Sequence, residues 1–375
     1  GDPSLQWRMS LVDVQIRGSG AVACSLALAL GQAGLRVALS PTRESTAPDV
    51  RTYALNAASR ELLQRLRVWA SLPAGAVTPV YDIRVQGDQP GAMLAFSAWE
   101  QCTEALAWIV DAAELDAVLD DALRYAASVQ RTDADAGAAL KVLAEGKDST
   151  AREALGVQFE RHAYGQRAVA ARLVSDRPHD GTAWQWFRSP DVLALLPFDR
   201  PRAGHSYGLV WSVPEARAQA LLAMDALAFE AELQAAGGNL VGTLRLDGPR
   251  AAWPLALALA DRVCGPGWAL VGDAAHVLHP LAGQGLNLGL ADVASLASVL
   301  ARRETWRRLG DERLLRRYAR DRALATQAMA HLTDGLLHTF AAEQPLLREL
   351  RNRGLSLLNL AAPAKRWLAT QALGR

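Results

Sequence analysis

"LVDVQIRGSGAVACSLALALGQAGLRVALS", residues 11–40, decides the architecture. The apolar run from Val12 to Ile16 predicts a strand, Gly18-Ser19-Gly20 breaks it, and the alanine- and leucine-rich segment that follows predicts a helix stopping at Gly34. Arg36 to Leu39 then predicts a second strand. Strand, glycine turn, helix and strand in that order are the setting in which a G-x-G-x-x-G/A pattern acts as a dinucleotide fingerprint. Gly18 permits the tight turn, Gly20 lets backbone N–H groups approach a pyrophosphate, and Ala23 fills the third position. Ser19 and Val22 lie inside the same turn and join the candidate set. The start of the helix contributes partial positive charge.

Working outward, 375 residues suffice for one large α/β domain with an inserted sheet, or for two domains. Half of the residues are hydrophobic and 21% are charged, so a sizeable core can form and disorder is not expected. A net charge of +1 gives no general attraction to nucleic acid, and no nucleic-acid partner is expected. Cys24, Cys102 and Cys264 are odd in number and far apart, which argues against a disulfide framework and for a reducing, cytoplasmic setting. There is no uncharged apolar run long enough to span a bilayer and no basic-then-apolar leader pattern; "GDPSLQWR" ahead of Met9 stays outside the fold argument.

Past the second strand, "TYALNAASRELLQRLRVW" and "AAELDAVLDDALRYA" read as amphipathic helices. Between Gln166 and Val213, "RAVAARLV", "TAWQWF", "VLALLPF" and "YGLVWSV" read as strands of an antiparallel sheet, with turns at Arg177-Pro178 and Ser189-Pro190. Helices return from about Pro214 to Ala236, another strand pair follows, and the chain from Glu312 reads as helical. "GWALVGDAAH", from Gly267, reads as a buried strand running into a second glycine-rich motif, "GDAAHVLHPLAGQGLNLG" at residues 272–289. Two chemistries fit that motif. Asp273, His276 and His279 stand at three-residue spacings that could gather a metal, whereas the glycines around Gln284 suit a backbone wrapped closely round a cofactor.

Three stretches carry a resemblance: the fingerprint at Gly18–Ala23, "RTYALNAAS" from Arg51, and "GWALVGDAAHVLHPLAGQGLNLGLAD" from Gly267. With them the chain resembles the flavin-dependent hydroxylases of ubiquinone biosynthesis, within the para-hydroxybenzoate hydroxylase-like FAD monooxygenases. The resemblance implies a Rossmann-like FAD-binding domain with an inserted antiparallel-sheet substrate domain and a helical C-terminal segment. Its boundaries would be 9–75, 104–160 and 263–310 for the FAD-binding domain, 76–103 and 161–262 for the substrate domain, and 311–375 for the C-terminal segment. It favours FAD over metal for the second motif: Asp273, after Gly272, would bond the ribityl–pyrophosphate region, and Pro280, Gly283, Gln284, Gly285, Leu286 and Asn287 would run along the isoalloxazine edge. Arg51 would stand near the cofactor, no metal is expected, and His276 and His279 become loop-packing residues bonded to backbone. Two positions depart from the family pattern: Pro41 stands where the second strand usually ends in a ribose-binding acid, and Glu145-Gly146 replaces the usual Asp-Gly.

The activity implied is hydroxylation of a polyprenylated phenol with FAD, NAD(P)H as transient co-substrate and O₂, with no acid–base side chain assigned. Trp184, Trp186, Phe187 and Trp211, on the central strands, are candidates to line the substrate pocket, although tryptophan on strands more often builds core. A flavin-poor accessory subunit in a biosynthetic complex is the alternative motivated by Pro41 and Glu145. In the tail, "PLLRELRNRGLSLLNLAAPAKRWL" interleaves leucines with Arg348, Arg351, Arg353, Lys365 and Arg366, a candidate peripheral contact with the inner membrane face.

Overall fold

The computed structural model of the chain describes residues 12–42, 49–87, 93–145, 149–188, 190–237, 239–278 and 285–341. Ser189, His279, Pro280, Gly283, Gln284 and the basic tail segment fall outside the described residues. The strands, in chain order, are β1 (Val14–Arg17), β2 (Val37–Ser40), β3 (Thr52–Leu55), β4 (Val77–Val80), β5 (Asp82–Gln86), β6 (Met93–Ser97), β7 (Ala107–Asp111), β8 (Val129–Arg131) and β9 (Leu140–Leu143). They continue with β10 (Phe159–Ser175), β11 (Thr182–Arg188), β12 (Asp191–Phe198), β13 (Ser206–Pro214), β14 (Leu244–Ala260), β15 (Cys264–Gly265), β16 (Trp268–Leu270) and β17 (His276–Leu278). The helices are α1 (Ala21–Gln32), α2 (Ala57–Arg65), α3 (Ala112–Arg124), α4 (Ser149–Ala154), α5 (Glu215–Ala223), α6 (Ala226–Gly237), α7 (Gly285–Ala301) and α8 (Glu312–Ala341).

The first sheet has the order β15-β16-β9-β1-β2-β8. From β16 to β8 every neighbouring pair is parallel, with Val14 opposite Val37 on one side and Leu140 on the other. Such a sheet is covered on both faces at its centre, where all four residues of β2 are buried, while Arg17 of β1, Lys141 of β9 and Gln130 and Arg131 of β8 are exposed. The alanines and leucines of α1 are buried almost all round because the helix touches α3, α7 and the sheet at once. Gly34 just beyond it takes the left-handed conformation (φ +84°), which is why the stop was readable.

The second sheet, β17-β14-β10-β13-β12-β11-β5-β6, is antiparallel except for the β5–β11 pair. One face is closed by α5 and α6, through Ala218, Leu221, Phe229 and Leu233. The other packs Ala168, Ala194, Leu196, Phe198 and Val210 against Ala54, Val80 and Ile109 of a small sheet, β3-β7-β4, that lies between the two layers. Gly208 on β13 is required there, because a Cβ would collide with Thr52 on β3.

Two readings need correction. Residues 52–55 are strand, not the opening of a helix: Thr52 and Tyr53 pair with Asp111 and Val110, and the Asn56 carboxamide accepts the Ser59 N–H at 2.9 Å, so the helix starts only at Ala57. The strand pair expected after α6 is chiefly one seventeen-residue strand, β14, that follows the bend of β10 through two register shifts. Pro254 stands beside the first of them, where a missing N–H costs the ladder little.

Candidate functional site

Four loops meet at the carboxyl ends of β2, β1, β9 and β16, the edge at which open parallel sheets place their ligands. They carry Pro41-Thr42, Gly18-Ser19-Gly20, Ala144-Glu145 and Gly272-Asp273-Ala274. The glycines of the fingerprint are held differently. Gly18 has φ +151°, and a Cβ there would stand 2.9 Å from Ala23 Cβ and 3.2 Å from both Ala144 Cβ and Glu145 Cγ. Gly20 has an ordinary extended backbone and nothing within 4 Å of a Cβ position. It is the N-cap of α1, no side chain caps that end, and the first turn contains no acid. An open, uncapped, positively polarised helix start suits a pyrophosphate, with the Glu145 carboxylate set to one side on the preceding Ser19 N–H, and the residues present therefore fit a dinucleotide such as FAD.

Val22 joins this turn to the second motif. A Cβ on Gly272 (φ +58°) would be 3.1 Å from Val22 Cγ1, and one on Gly289 only 2.6 Å from Val22 Cγ2. The Val22 side chain is thus packing between α1, the Gly272–Ala274 turn and α7. Arg152, buried on α4, reaches the same turn from below, at 3.4 Å from the Ala274 carbonyl, with its guanidinium 3.7 Å from the centre of the Phe159 ring. Asp273 stands exposed on the turn. Gly285 and Leu286 open α7, with Leu286 buried.

Asn287 has structural bonds from all sides. Its Oδ1 accepts from Asn56 N–H (2.9 Å) and Ser59 Oγ (2.8 Å), and its Nδ2 donates to the Ala54 carbonyl (2.9 Å). The first turn of α7 is thereby fixed to the start of α2. Arg51 lies just ahead of β3 in a two-point ion pair with Asp49 (2.9 Å) and 5.5 Å from the Tyr53 ring centre. The bond to Asp49 holds the guanidinium above its ordinary pKa, and burial pushes the Tyr53 phenol up to about 12.

His276 corrects the expectation that it bonds backbone. Its Nε2 lies 2.5 Å from Asp292 Oδ2, which also accepts the Gly272 N–H (2.9 Å), while Asp292 Oδ1 accepts from Arg322 Nε (2.8 Å). Burial alone would lower the His276 pKa and raise that of Asp292, but the facing charges and the bonds between them outweigh it: His276 is raised and Asp292 lowered. This network was missed in the sequence, although Asp292 is the one charged residue in α7, a signal in itself. Its effect is to brace the turn that presents Asp273. Among the described residues no three His, Cys, Asp or Glu side chains could hold a metal.

The tryptophans are elsewhere. Trp186, Leu193 and Trp211 form a cross-strand row on the face covered by α5 and α6, and Trp184 stacks on Trp186 at 5.7 Å. Trp186 and Trp211 are 1% and 0% exposed, so this row builds core on the face opposite the β3-β7-β4 sheet. Phe187 points to the other face, with Val192 and Val85.

Residues 11–333 match the FAD binding domain family. The chain is 31% identical to ubiquinone hydroxylase UbiL of Rhodospirillum rubrum, over 97% of this chain and 90% of that protein. It is 30% identical to the 3-demethoxyubiquinol 3-hydroxylase of Escherichia coli K12, over 96% of this chain and 98% of that protein. Among solved structures, p-nitrophenol 4-monooxygenase PnpA from Pseudomonas putida is similar in fold: TM-score 0.75 at 18% identity, covering 97% of this chain and 99% of that one.

Proposed function

The chain belongs to the FAD binding domain family, and from that premise we propose that it is an FAD-dependent monooxygenase that hydroxylates the aromatic ring of a polyprenylated phenol, with NAD(P)H as reductant. The observation that supports this best is the Val22 junction, which makes one site of the fingerprint turn and the Gly272–Ala274 turn. Gly18, Gly20 and the backbone at Val22 would hold the pyrophosphate, Ser19, whose N–H and hydroxyl bond Glu145, would border it, Asp273 would hold the ribityl side, and the start of α7 the ring system. FAD, when bound, supplies the redox chemistry that activates O₂. The protein fixes the turn through Asp292 and fixes α7 through Asn287. The partial positive charge at the start of α7 favours the electron-rich reduced ring.

Both faces of the second sheet are packed where they are described, one by α5 and α6 and the other by the β3-β7-β4 sheet, so the phenol is assigned to the side of the cofactor and not to either core. The test is turnover. With FAD added, NAD(P)H oxidation should accelerate with a prenylated phenol, and a product one oxygen heavier should appear by mass spectrometry. NAD(P)H oxidation that no phenol changes, with no oxygenated product, would remove the proposal. For a polyprenyl substrate drawn from lipid, the basic tail is the candidate membrane contact. Liposome flotation should be lost in a folded chain ending at Ala341, and equal flotation of both forms would exclude that role. No helix among the described residues is long and apolar enough to cross a membrane.

A further inference from the structure

Pro41 follows β2 at the position from which a carboxylate would reach a ribose, and it offers neither a side-chain acceptor nor an N–H. A carboxylate is nevertheless present at that edge. Glu145, just beyond the end of β9, extends across the tip of β1 toward the end of β2. Its Oε1 accepts the Ser19 N–H at 2.6 Å and lies 3.2 Å from Ser19 Oγ, and its Oε2 accepts from the Thr42 hydroxyl. The two hydroxyls are themselves 3.2 Å apart. Neighbouring strands stand about 4.8 Å apart, so the span from β9 to β2 is close to 10 Å, which Glu145 and its loop bridge.

Gly18 is part of this arrangement, since a Cβ there would meet Glu145 Cγ. The two departures from the family pattern are therefore neighbours in space. We infer that Glu145 replaces the absent second-strand acid: it is the residue that accepts the ribose hydroxyls of the adenosine half of the dinucleotide. This rests on the FAD reading and adds to it the origin of affinity for that half.

The acceptor count allows it. A carboxylate has about four lone-pair positions; Ser19 N–H and Oγ occupy Oε1, and the Thr42 hydroxyl takes one position on Oε2. Oε2 thus keeps acceptor capacity on the β2 side. The Thr42 hydroxyl can turn away to another acceptor without loss of the Ser19 N–H bond that fixes the carboxylate. Shortening to aspartate would withdraw the charge from β2, while Glu145→Gln keeps the length and removes the charge.

The competing reading is that the carboxylate imitates a phosphate and must be evicted before a dinucleotide can bind. The two readings give opposite signs. The full chain, stripped of flavin, is titrated with FAD, ADP and 2′,3′-dideoxy-ADP, the last lacking the ribose diol. Expected for wild type is a preference for ADP over the dideoxy compound of about 10-fold or more, corresponding to one or two charge-assisted bonds. Glu145→Gln should abolish that preference, weaken FAD by a similar factor and leave dideoxy-ADP binding unchanged. Pro41→Glu added to Glu145→Gln should restore both, which a merely structural role for Glu145 would not allow.

Tighter FAD binding by Glu145→Gln overturns the inference in favour of eviction. Equal weakening of ADP and dideoxy-ADP, or a wild-type chain with no diol preference, overturns it as well. A wild-type chain that binds neither FAD nor ADP overturns the FAD reading and this inference together. A circular-dichroism melt of each variant separates loss of ligand from loss of fold.

Discussion

A Cβ added at Gly18 presses on Ala23 and Ala144, whereas one added at Gly20 meets nothing. Gly18→Ala should therefore destabilise the apoprotein itself, by about 1–3 kcal/mol from crowding and backbone strain. Gly20→Ala should leave the melt of the apoprotein nearly unchanged and weaken FAD by at least about 10-fold, ~1.4 kcal/mol, because the methyl group enters the space left for the pyrophosphate. Fluorescence titration beside thermal melts checks both; a Gly20→Ala chain with wild-type FAD affinity would show that the pyrophosphate lies elsewhere. The buried Asp292 behaves differently. Asp292→Asn leaves His276 and Arg322 without a counter-charge and should cost about 3–5 kcal/mol. Because the folded His276 pKa is raised above 6.5, its contribution is complete below that pH and is lost as pH rises through the folded value. Asp292 is lowered from 3.8, so its contribution is present above that pH and is lost on further acidification. The Tm difference between wild type and His276→Gln should then be largest below pH 6.5 and shrink as pH rises through the raised folded value. A difference that grows with pH would mean that His276 is neutral in the fold.

Asn287 joins two elements that are more than two hundred residues apart in sequence. Its carboxamide satisfies the Asn56 N–H and the Ala54 carbonyl together, so Asn287→Ala strands a donor and an acceptor and should cost roughly 2–3 kcal/mol. FAD affinity should fall with it, since the start of α7 is freed; urea unfolding read beside FAD titration checks this, and lost stability with intact affinity would show that α7 does not meet the cofactor. What could be read in the sequence follows the range of the interactions. The strand–turn–helix–strand unit between Val12 and Ser40 depends on local periodicity and on glycine geometry, and it was legible to within two residues at each boundary. Thr52–Leu55 was misread because four residues ahead of an amphipathic helix carry little periodicity, and their strand character comes from partners at residues 108–111. The tryptophans could be placed on strands, but the face they point to is set by α5 and α6. Glu145 was visible only as a departure from pattern, since its contacts with Ser19 and Thr42 are 126 and 103 residues distant.

The chain crosses repeatedly between its two main layers. β17 leaves the Gly272–Ala274 turn of the FAD layer and enters the second sheet beside β14, with His276 opposite Leu259. The β3-β7-β4 sheet gives Val110 and Leu55 to one core and Ala54, Val80 and Ile109 to the other. From the C-terminal side, α8 fastens to the first sheet through the Tyr318 hydroxyl on the Leu270 carbonyl (2.6 Å) and to α7 through Arg322. Layers that exchange strands and share a buried middle sheet cannot unfold independently without exposing that sheet. A single cooperative thermal transition is expected, and FAD should move all of it. At about 100 times Kd a ligand that binds only the folded state adds about 2.7 kcal/mol, which for a chain of this length raises the Tm by about 3 °C. Tryptophans lie in both layers, Trp268 on β16 and Trp108 in the first core, so pulsed hydrogen–deuterium exchange at peptides of β12 and β13 reports the second sheet, and flavin fluorescence reports the first. Added FAD should raise both midpoints equally. Two transitions, with only the flavin-reporting one raised, would show that the shared sheet does not couple the layers.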